Sequence, residues 1–256
     1  MTARRGYASI VFDCDSTLSA IEGIDELAGA HIARIRTLTD AAMDGALPLE
    51  DVYGRRLALI RPSRSAVDAL ADRYVAALVE DAREVLAALL WLGKEVRIVS
   101  GGLLPPVEAL ARELGLAASD VAAVGIHFAA DGSYAGFDSA SPLTRSGGKE
   151  AAMRSWALPR PLLLVGDGAT DLEARPAADA FAAYMGVAWR PAVAAGADVV
   201  LRQRSLAPVL ALAAPAGGRE AERVAASPFA PLLVRGAALL AGATRPLSPG
   251  TSEAWS

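Results

Sequence analysis

The sequence predicts an α/β fold built on a doubly wound parallel sheet, with helices on both faces. Three short apolar runs, at residues 7–12, 95–99 and 161–165, have the composition of buried strands, and each stops abruptly at a small polar cluster. Apolar residues at helical spacing fill the intervals between these runs. Strands that alternate with helices in this way are typical of a Rossmann-like sheet.

Further strands are predicted towards the carboxyl end of the chain. Two short apolar stretches there, Ala180–Tyr184 and Val199–Leu201, extend the sheet. Residues 121–138 alternate between apolar and polar side chains on both sides of an Asp-Gly pair at 131–132. This is the strongest short signal for a β-hairpin, so we expect one over these residues.

The stretch between the first two strands contains helical patterns and no strand pattern. Over residues 23–92 the helical spacing is interrupted at Gly45, Pro48 and Pro62, which predicts several helices inserted after the first strand. We expect a small helical cap domain. After about Pro215 the composition changes, and either a flexible tail or a short apolar helix fits it. The predicted division is core at 1–16 and 83–214, cap at 17–82, and tail at 215–256.

Composition excludes several classes of protein. The 25 basic and 29 acidic side chains leave a net charge of −4, whereas nucleic-acid binders are usually basic, so no nucleic-acid partner is expected. Cys14 is the only cysteine, which excludes an internal disulfide and a cysteine-based metal site. We find neither a long uncharged apolar run nor a signal-peptide core, so we expect a cytoplasmic protein with no membrane partner.

Polar clusters follow the three apolar strands at the point where each strand ends. Asp13 and Asp15 follow the first strand, residues 100–102 (SGG) follow the second, and Asp167 and Asp171 follow the third. In open parallel sheets, ligands bind outside the carboxyl ends of the strands. We therefore expect these three clusters to face one crevice.

The four aspartates predict a magnesium site. Like charges held this close repel each other unless they share a proton or a cation lies between them. A cluster of carboxylates without histidine or thiolate suits Mg²⁺, a hard cation that prefers oxygen ligands. Asp13 and Asp15 alone would more often mark a turn or a capped helix, but Asp167 and Asp171 reverse that balance. A cation beside spare carboxylates favours phosphoryl chemistry.

Donors for phosphate oxygens are also present. The Ser100 hydroxyl and the Gly101 and Gly102 amides form a compact donor turn. Lys149 follows a glycine pair and supplies a compact positive charge. Lys94 and Lys149 are the only lysines in a chain that otherwise uses arginine. The presence of lysine at position 149 therefore favours a specific role for it at the site.

Taken in order, four segments resemble the four motifs of the haloacid dehalogenase superfamily. They are DCDST (13–17), IVSGG (98–102), SGGK (146–149) and GDGATD (166–171). Three flanking segments are similar to the phosphoserine phosphatase family within it: EGIDELA (22–28), RLALIRPSR (56–64) and YAGFD (134–138). The similarity covers residues 6–212 and implies a haloacid dehalogenase core with a cap.

The resemblance implies roles for the carboxylates. Asp13 would be the nucleophile that forms an aspartyl-phosphate, and Asp15 would protonate the leaving oxygen and then activate water. Mg²⁺ would be held by the Asp13 carboxylate, the Asp15 backbone carbonyl and Asp167. Asp171 would support the water shell of the ion.

The resemblance also assigns the remaining contacts of the substrate. Ser100, Gly101 and Lys149 would bind phosphate oxygens, and Thr170 would line the same end of the site.

At the other end, Glu22 would contact the substrate ammonium and Arg56 its carboxylate, with Met43 close to both. Asp44 stands where the family more often has glycine, and a carboxylate there is expected to disfavour an anionic ester.

The implied activity is Mg²⁺-dependent hydrolysis of O-phospho-L-serine to L-serine and phosphate through an aspartyl-phosphate, the last step of serine biosynthesis. Because of Asp44, another small phosphomonoester such as phosphothreonine or phosphohomoserine is an alternative substrate. A phospho-accepting signalling domain is a more remote alternative. The expected partner is a small-molecule substrate, and a homodimer is one of the oligomeric states left open.

Overall fold

Six parallel strands form the centre of the computed structural model, which describes residues 6–241. Their order across the sheet is third, second, first, sixth, seventh and eighth in the chain, which confirms the predicted doubly wound architecture. The strands are β1 (Ser9–Phe12), β2 (Glu95–Leu103), β3 (Val121–Val124), β6 (Leu162–Gly166), β7 (Ala180–Tyr184) and β8 (Val199–Leu201).

The predicted hairpin is present but is shorter than its sequence pattern. Only β4 (Ile126–Phe128) and β5 (Tyr134–Phe137) pair antiparallel around the Asp-Gly turn. The first four residues of the pattern form β3 instead, which pairs in parallel with β2 in the main sheet. Gly125 separates β3 from β4, and its carbonyl accepts a hydrogen bond from the Asp138 amide that closes the base of the hairpin.

Helices cover both faces of the sheet. All four residues of β1 are buried, and successive side chains point to opposite faces, so Ile10 and Phe12 pack in one apolar cluster and Val11 in the other. The helices are α1 (Gly23–Glu26), α2 (Ile32–Met43), α3 (Leu49–Ile60), α4 (Arg64–Ala76), α5 (Ala82–Trp91), α6 (Leu104–Glu113), α7 (Gly148–Ser155), α8 (Ala169–Ala174), α9 (Pro191–Gly196), α10 (Ala207–Ala213), α11 (Arg219–Ala225) and α12 (Ala230–Ala241).

The segment between β1 and β2 is helical, as its sequence pattern predicts. The breaks between its helices lie at the predicted glycine and proline residues. α2 ends before Gly45, which has a φ of 75°, and α3 ends before Pro62. Ser63 then caps α4 by accepting a hydrogen bond from the Ala66 amide. Residues of α1 to α4 reach the carboxyl end of β1, whereas α5 packs on a face of the sheet beside α10. The exact domain boundaries at residues 17 and 82 stay a prediction.

Two helices occupy the part of the predicted tail that the structure describes. α12 packs along α10, with Leu232 buried against the core. α11 is tied to the core by an ion pair of 3.1 Å between Glu220 and the nearly buried ammonium of Lys94. The rest of the tail, residues 242–256, lies outside the described residues. Among residues 6–241, the helices are all too short or too polar to cross a membrane.

Contact between α12 and α10 is close at Gly236, so substitutions there test the packing of the tail. A Cβ at this position would lie 2.2 Å from the Ala207 carbonyl oxygen. We expect Gly236→Ala to lower the free energy of unfolding by about 1–3 kcal/mol, because the helices must separate. Gly54→Ala in α3 is the matched control, since a Cβ there meets only the Phe137 ring, at an ordinary contact distance of 3.6 Å. It should raise that free energy by up to about 1 kcal/mol.

Urea unfolding of the two variants and of the unsubstituted protein measures both effects. Equal effects of the two substitutions would contradict the close packing of α12 on α10.

Candidate active site

The ends of three neighbouring strands position the polar clusters. Phe12, the last residue of β1, lies in register with Ile98 of β2 on one side and with Val165 of β6 on the other. The residues that follow these three positions therefore emerge side by side. This register brings Asp13, Ser100 and Asp167 to the same edge of the sheet, as the sequence predicts.

Three buried carboxylates meet at this edge. Oxygen atoms of Asp13, Asp167 and Asp171 all lie within 4.8 Å of one another. Asp171 lies in the first turn of α8, so the turn after β6 folds its carboxylate back towards the strand ends. The Lys149 ammonium lies 2.7 Å from an oxygen of Asp13 and 2.7 Å from an oxygen of Asp171. Lys149 itself is buried in the first turn of α7.

The protonation equilibria of this cluster reflect both its burial and its close charged neighbours. Burial raises the pKa of the Asp13 carboxyl well above its usual range, and the Asp171 charge raises it further, although Lys149 opposes both. Burial alone would lower the pKa of the Lys149 ammonium, but Asp13 and Asp171 outweigh it and raise the pKa. Lys149 is thus a permanent cation beside the two carboxylates.

Arg190 is a site residue that the sequence analysis missed. Its nearly buried guanidinium lies just before α9 and donates a 3.0 Å hydrogen bond to Asp167. Burial raises the pKa of Asp167 to about 7 and Glu22 adds to the rise, whereas Arg190 lowers it. Arginine is abundant in this chain, and nothing in the sequence near Arg190 marks it as different.

The same arginine corrects the expectation for Asp44. We expected this carboxylate to face the substrate and weaken the binding of an anionic ester. It instead accepts a 3.0 Å hydrogen bond from Arg190, and its side chain is half exposed. Met43 lines the described pocket, whereas Asp44 does not. The charge of Asp44 is therefore compensated outside the pocket, and Arg190 joins the end of α2 to the sheet.

Asp15 lies beside the carboxylate cluster and faces another set of partners. Its side chain is not one of the three that converge within 4.8 Å. One oxygen accepts hydrogen bonds from the Tyr74 hydroxyl and the Gly23 amide, and the other accepts a longer one from Ser100. Burial raises the pKa of Asp15 to about 6, and Glu22 adds to the rise. Its carboxyl is thus suited to exchange protons near neutral pH.

The last residues of β2 bring hydrogen-bond donors to the pocket. The strand continues to Leu103, so residues 100–102, which we expected to form a turn after it, lie within the strand. Ser100 is fully buried, and its hydroxyl accepts a 2.9 Å hydrogen bond from the Gly102 amide while donating to Asp15. Gly101 and Gly102 line the pocket beside it. These glycines let the backbone come close to whatever the pocket binds, because no side chain stands between them.

The far end of the pocket carries a cation with a free donor. Arg56 is buried, and one of its terminal nitrogens donates a 3.0 Å hydrogen bond to Thr39, which donates in turn to Asp25. Within residues 6–241, the Arg56 Nε has no hydrogen-bond partner. A buried charged donor without a partner is costly, so this end of the pocket is suited to an anion. Glu22 lines the same pocket, accepts a 2.7 Å hydrogen bond from Ser16 and lies 4.0 Å from a nitrogen of Arg190.

One cavity joins these groups. The volume open to water within it is about 40 Å³, enough for a few water molecules. The cavity brings together nearly all of the predicted site residues, with Asp167, Asp171 and Ser100 behind them in contact with lining residues. The lining residues are Asp13, Asp15, Glu22, Ile24, Met43, Leu49, Arg56, Gly101, Gly102, Leu143, Arg145, Lys149 and Thr170.

The carboxylate cluster fits a divalent cation. Asp13, Asp167 and Asp171 offer only oxygen atoms, they are buried, and they lie close enough to share one ion. Two basic groups, Lys149 and Arg190, contact the cluster and do not balance its full negative charge. A hard cation supplies the missing charge, and its preferred ligands are carboxylate oxygens.

Comparison with known proteins assigns the class of the chain. A family model described as haloacid dehalogenase-like hydrolase matches residues 10–176, from β1 to the end of α8. This match covers all four segments at which the carboxylates, the donor turn and the lysine meet. The chain belongs to the haloacid dehalogenase-like hydrolases.

More specific similarity comes from individual relatives. The phosphoserine phosphatase of Mus musculus is 40% identical over 184 residues, which are 70% of this chain and 81% of that protein. The chloroplastic phosphoserine phosphatase of Arabidopsis thaliana is 39% identical over 202 residues, 76% of this chain and 68% of that protein. Within the family these relatives are phosphoserine phosphatases, and this chain is a phosphatase of the same group.

A solved structure agrees with the relatives. It is the phospho-aspartyl intermediate analogue of a phosphoserine phosphatase, and it superposes with a TM-score of 0.70 at 27% identity. The match covers 81% of this chain and 98% of that chain.

Stability measurements across pH test the cation site. The pKa of Asp15 is raised to about 6 and that of Asp167 to about 7, from ordinary values of 3.8. The metal-free folded state therefore binds more protons than the unfolded chain between about pH 4 and pH 7, and these groups lose their contribution to stability as the pH rises through that window. Because a cation competes with those protons, Mg²⁺ should raise the melting temperature more at pH 8 than at pH 5.5.

The expected difference is about 3–6 °C in thermal melts recorded with saturating Mg²⁺ and with a chelator. Asp167→Asn is expected to abolish most of the Mg²⁺-dependent shift. An equal shift at both pH values would argue against a cation held by these carboxylates.

Proposed function

We propose that the chain hydrolyses O-phospho-L-serine to L-serine and phosphate with Mg²⁺ as cofactor, the last step of serine biosynthesis. The observation that carries this proposal is a pocket with two differently charged ends. A lysine and backbone amides lie beside buried carboxylates at one end, and a buried arginine with a free donor lies at the other. O-Phosphoserine carries a phosphate at one end and a carboxylate and an ammonium at the other, which matches this layout.

The phosphate end supports a covalent route. Asp13 attacks the phosphorus, the bond from phosphorus to the ester oxygen breaks, and Asp15 gives its proton to the departing serine oxygen. Water then attacks the aspartyl-phosphate while Asp15 takes its proton, which releases phosphate and restores Asp13. Two displacements with positioned acid and base replace one slow step.

Positive charge stabilises the transferring group. Lys149 contacts Asp13 and is held in place by Asp171, so its ammonium lies where phosphate oxygens arrive. Ser100, Gly101 and Thr170 supply further polar contacts at the same end. Mg²⁺ would be held by Asp13, Asp167 and the Asp15 backbone carbonyl, with Asp171 supporting its water shell, and it would neutralise charge on the phosphoryl oxygens.

Arg56 and Glu22 support the choice of an amino-acid ester. The planar guanidinium of Arg56 matches a carboxylate, and its Nε is the free donor. Glu22, which accepts from Ser16 and lies 4.0 Å from Arg190, would contact the ammonium, and Met43 also lines the pocket. Asp44 was the feature that favoured phosphothreonine or phosphohomoserine. Its pairing with Arg190 outside the pocket removes that argument.

The helical segment over the sheet excludes bulk water while the ester is bound. Arg190 joins this segment to the sheet through Asp44, and opening and closing of the segment would admit the ester and then exclude water. A small-molecule substrate is the partner that the site requires. A homodimer and a cytoplasmic location stay predictions.

Substitution of the nucleophile tests the covalent route. We expect Asp13→Asn to reduce phosphoserine turnover by at least about 1000-fold, because an amide cannot form the aspartyl-phosphate. Asp131→Asn, at the exposed tip of the hairpin, makes the same chemical change away from the pocket and should leave turnover as it is. Phosphate release with Mg²⁺ measures both variants, and substantial turnover by Asp13→Asn would rule out the covalent route.

Substrate analogues test the role of Arg56. O-Phosphoethanolamine has the phosphate and ammonium of phosphoserine but lacks its carboxylate. We expect Arg56→Met to lower kcat/KM for phosphoserine by about 30- to 100-fold and to leave kcat/KM for phosphoethanolamine within about 3-fold. Arg55→Met, the exposed neighbour on α3, is the matched control and should change neither value. If Arg56→Met lowers kcat/KM equally for both substrates, Arg56 does not bind the carboxylate of phosphoserine.

A further inference from the structure

Tyr74 contacts the catalytic carboxyl group of Asp15, although nothing in the sequence analysis gave it a role. It lies in α4, is fully buried, and reaches into the site from the helical segment above the sheet. Its hydroxyl donates a 2.5 Å hydrogen bond to Oδ1 of Asp15. The tyrosine comes from the segment over the sheet and the aspartate from the strand end, so this bond crosses between the two parts of the molecule.

The two oxygens of Asp15 have unequal surroundings. Oδ1 accepts from the Tyr74 hydroxyl and, at 2.8 Å, from the Gly23 amide. Oδ2 accepts only a 3.4 Å hydrogen bond from Ser100 among the described residues, and it faces Gly102, which lines the pocket. In a protonated carboxyl group the carbonyl oxygen is the better acceptor, so the two donors on Oδ1 leave the proton on Oδ2.

The surrounding backbone is shaped to leave room for this hydroxyl. A Cβ at Gly23 would lie 2.0 Å from the Tyr74 hydroxyl oxygen. A Cβ at Gly102 would lie 3.3 Å from the same oxygen and 2.8 Å from Oδ2 of Asp15. Two glycines from separate segments therefore line the contact, and a side chain at Gly23 would displace the tyrosine.

We infer that Tyr74 is a positioning residue that directs the proton of Asp15 towards the leaving oxygen of the substrate. The inference rests on the proposed function, since it concerns the acid in that reaction. When the bond from phosphorus to the ester oxygen breaks, its electron pair stays on that oxygen. The proton on Oδ2 of Asp15 then moves to the same oxygen, and serine leaves neutral at its hydroxyl.

Tyr74 is suited to remain a donor throughout this step. Burial raises the pKa of its hydroxyl well above the usual range, and the Asp15 charge raises it further. Its ring also packs within the apolar cluster on one face of the sheet, which restricts rotation of the side chain. A fixed donor holds the carboxyl plane in one orientation while the proton leaves the opposite oxygen.

Dependence on the leaving group separates this role from a merely structural one. An alkoxide such as that of serine needs a proton to leave, whereas the acetate of acetyl phosphate does not. We expect Tyr74→Phe to slow serine release from phosphoserine by at least about 10-fold and to change acetate release from acetyl phosphate by less than about 3-fold. Single-turnover rapid-quench measurements with enzyme in excess and Mg²⁺ present report this first step alone.

Two further variants complete the test. Tyr184→Phe removes another buried hydroxyl, which donates to the Arg204 carbonyl, and it should leave both rates unchanged. Gly23→Ala should reproduce the selective loss of serine release, because its methyl group displaces the Tyr74 hydroxyl. Circular dichroism spectra and thermal melts establish that each variant is folded before its rates are compared.

The outcomes are distinguishable. Selective slowing of serine release supports the inference, and unchanged serine release or equal slowing of both substrates overturns it. If the unsubstituted enzyme releases no serine from phosphoserine, the proposed substrate fails instead. The comparison is then made with whichever alkyl phosphate the enzyme hydrolyses, against acetyl phosphate. If Tyr74→Phe does not fold, the Gly23→Ala rates decide the inference by the same criteria.

Discussion

The fold holds several carboxylates together at one edge of a sheet, away from water, and the rest of the site depends on how their repulsion is balanced. Lys149 lies between Asp13 and Asp171, and Arg190 lies against Asp167. These two cations balance the cluster only in part. The remaining charge makes it a site for a further cation and, once that ion is held, for a phosphate group. Affinity for the substrate thus follows from an electrostatic imbalance that the fold maintains.

Parallel strand pairing fixes the positions of these charged residues. β1 lies between β2 and β6, and its register with both brings the following residues to one place without help from loops. Side chains of β1 alternate between two apolar clusters, so the strand that carries Asp13 is anchored on both faces. The packing on both faces therefore holds the side chain of Asp13 in one position at the strand end.

Site residues that belong to a local sequence pattern could be predicted from the sequence. Strand ends, glycine-rich segments and the four motifs are each encoded by a few consecutive residues. The sheet, the carboxylate cluster and Lys149 could therefore be predicted from the sequence. Arg190 and Tyr74 could not, because their partners Asp167 and Asp15 are 23 and 59 residues away and each is a common residue type in a helix or loop. The pairing of Asp44 with Arg190 was hidden for the same reason, since the two residues are distant in sequence. The split between β3 and β4 depends on sheet pairing, which alternation alone does not specify.

Cys14 lies between Asp13 and Asp15 and has no exposure to solvent. Burial raises the pKa of its thiol well above the usual range, and the two neighbouring charges raise it further. Thiolate is the reactive form, so this side chain is inert towards electrophiles and oxidants while the strand end remains folded. Its modification would therefore record exposure of the innermost part of the molecule, and the sole sulfhydryl of the sequence is a built-in reporter of unfolding.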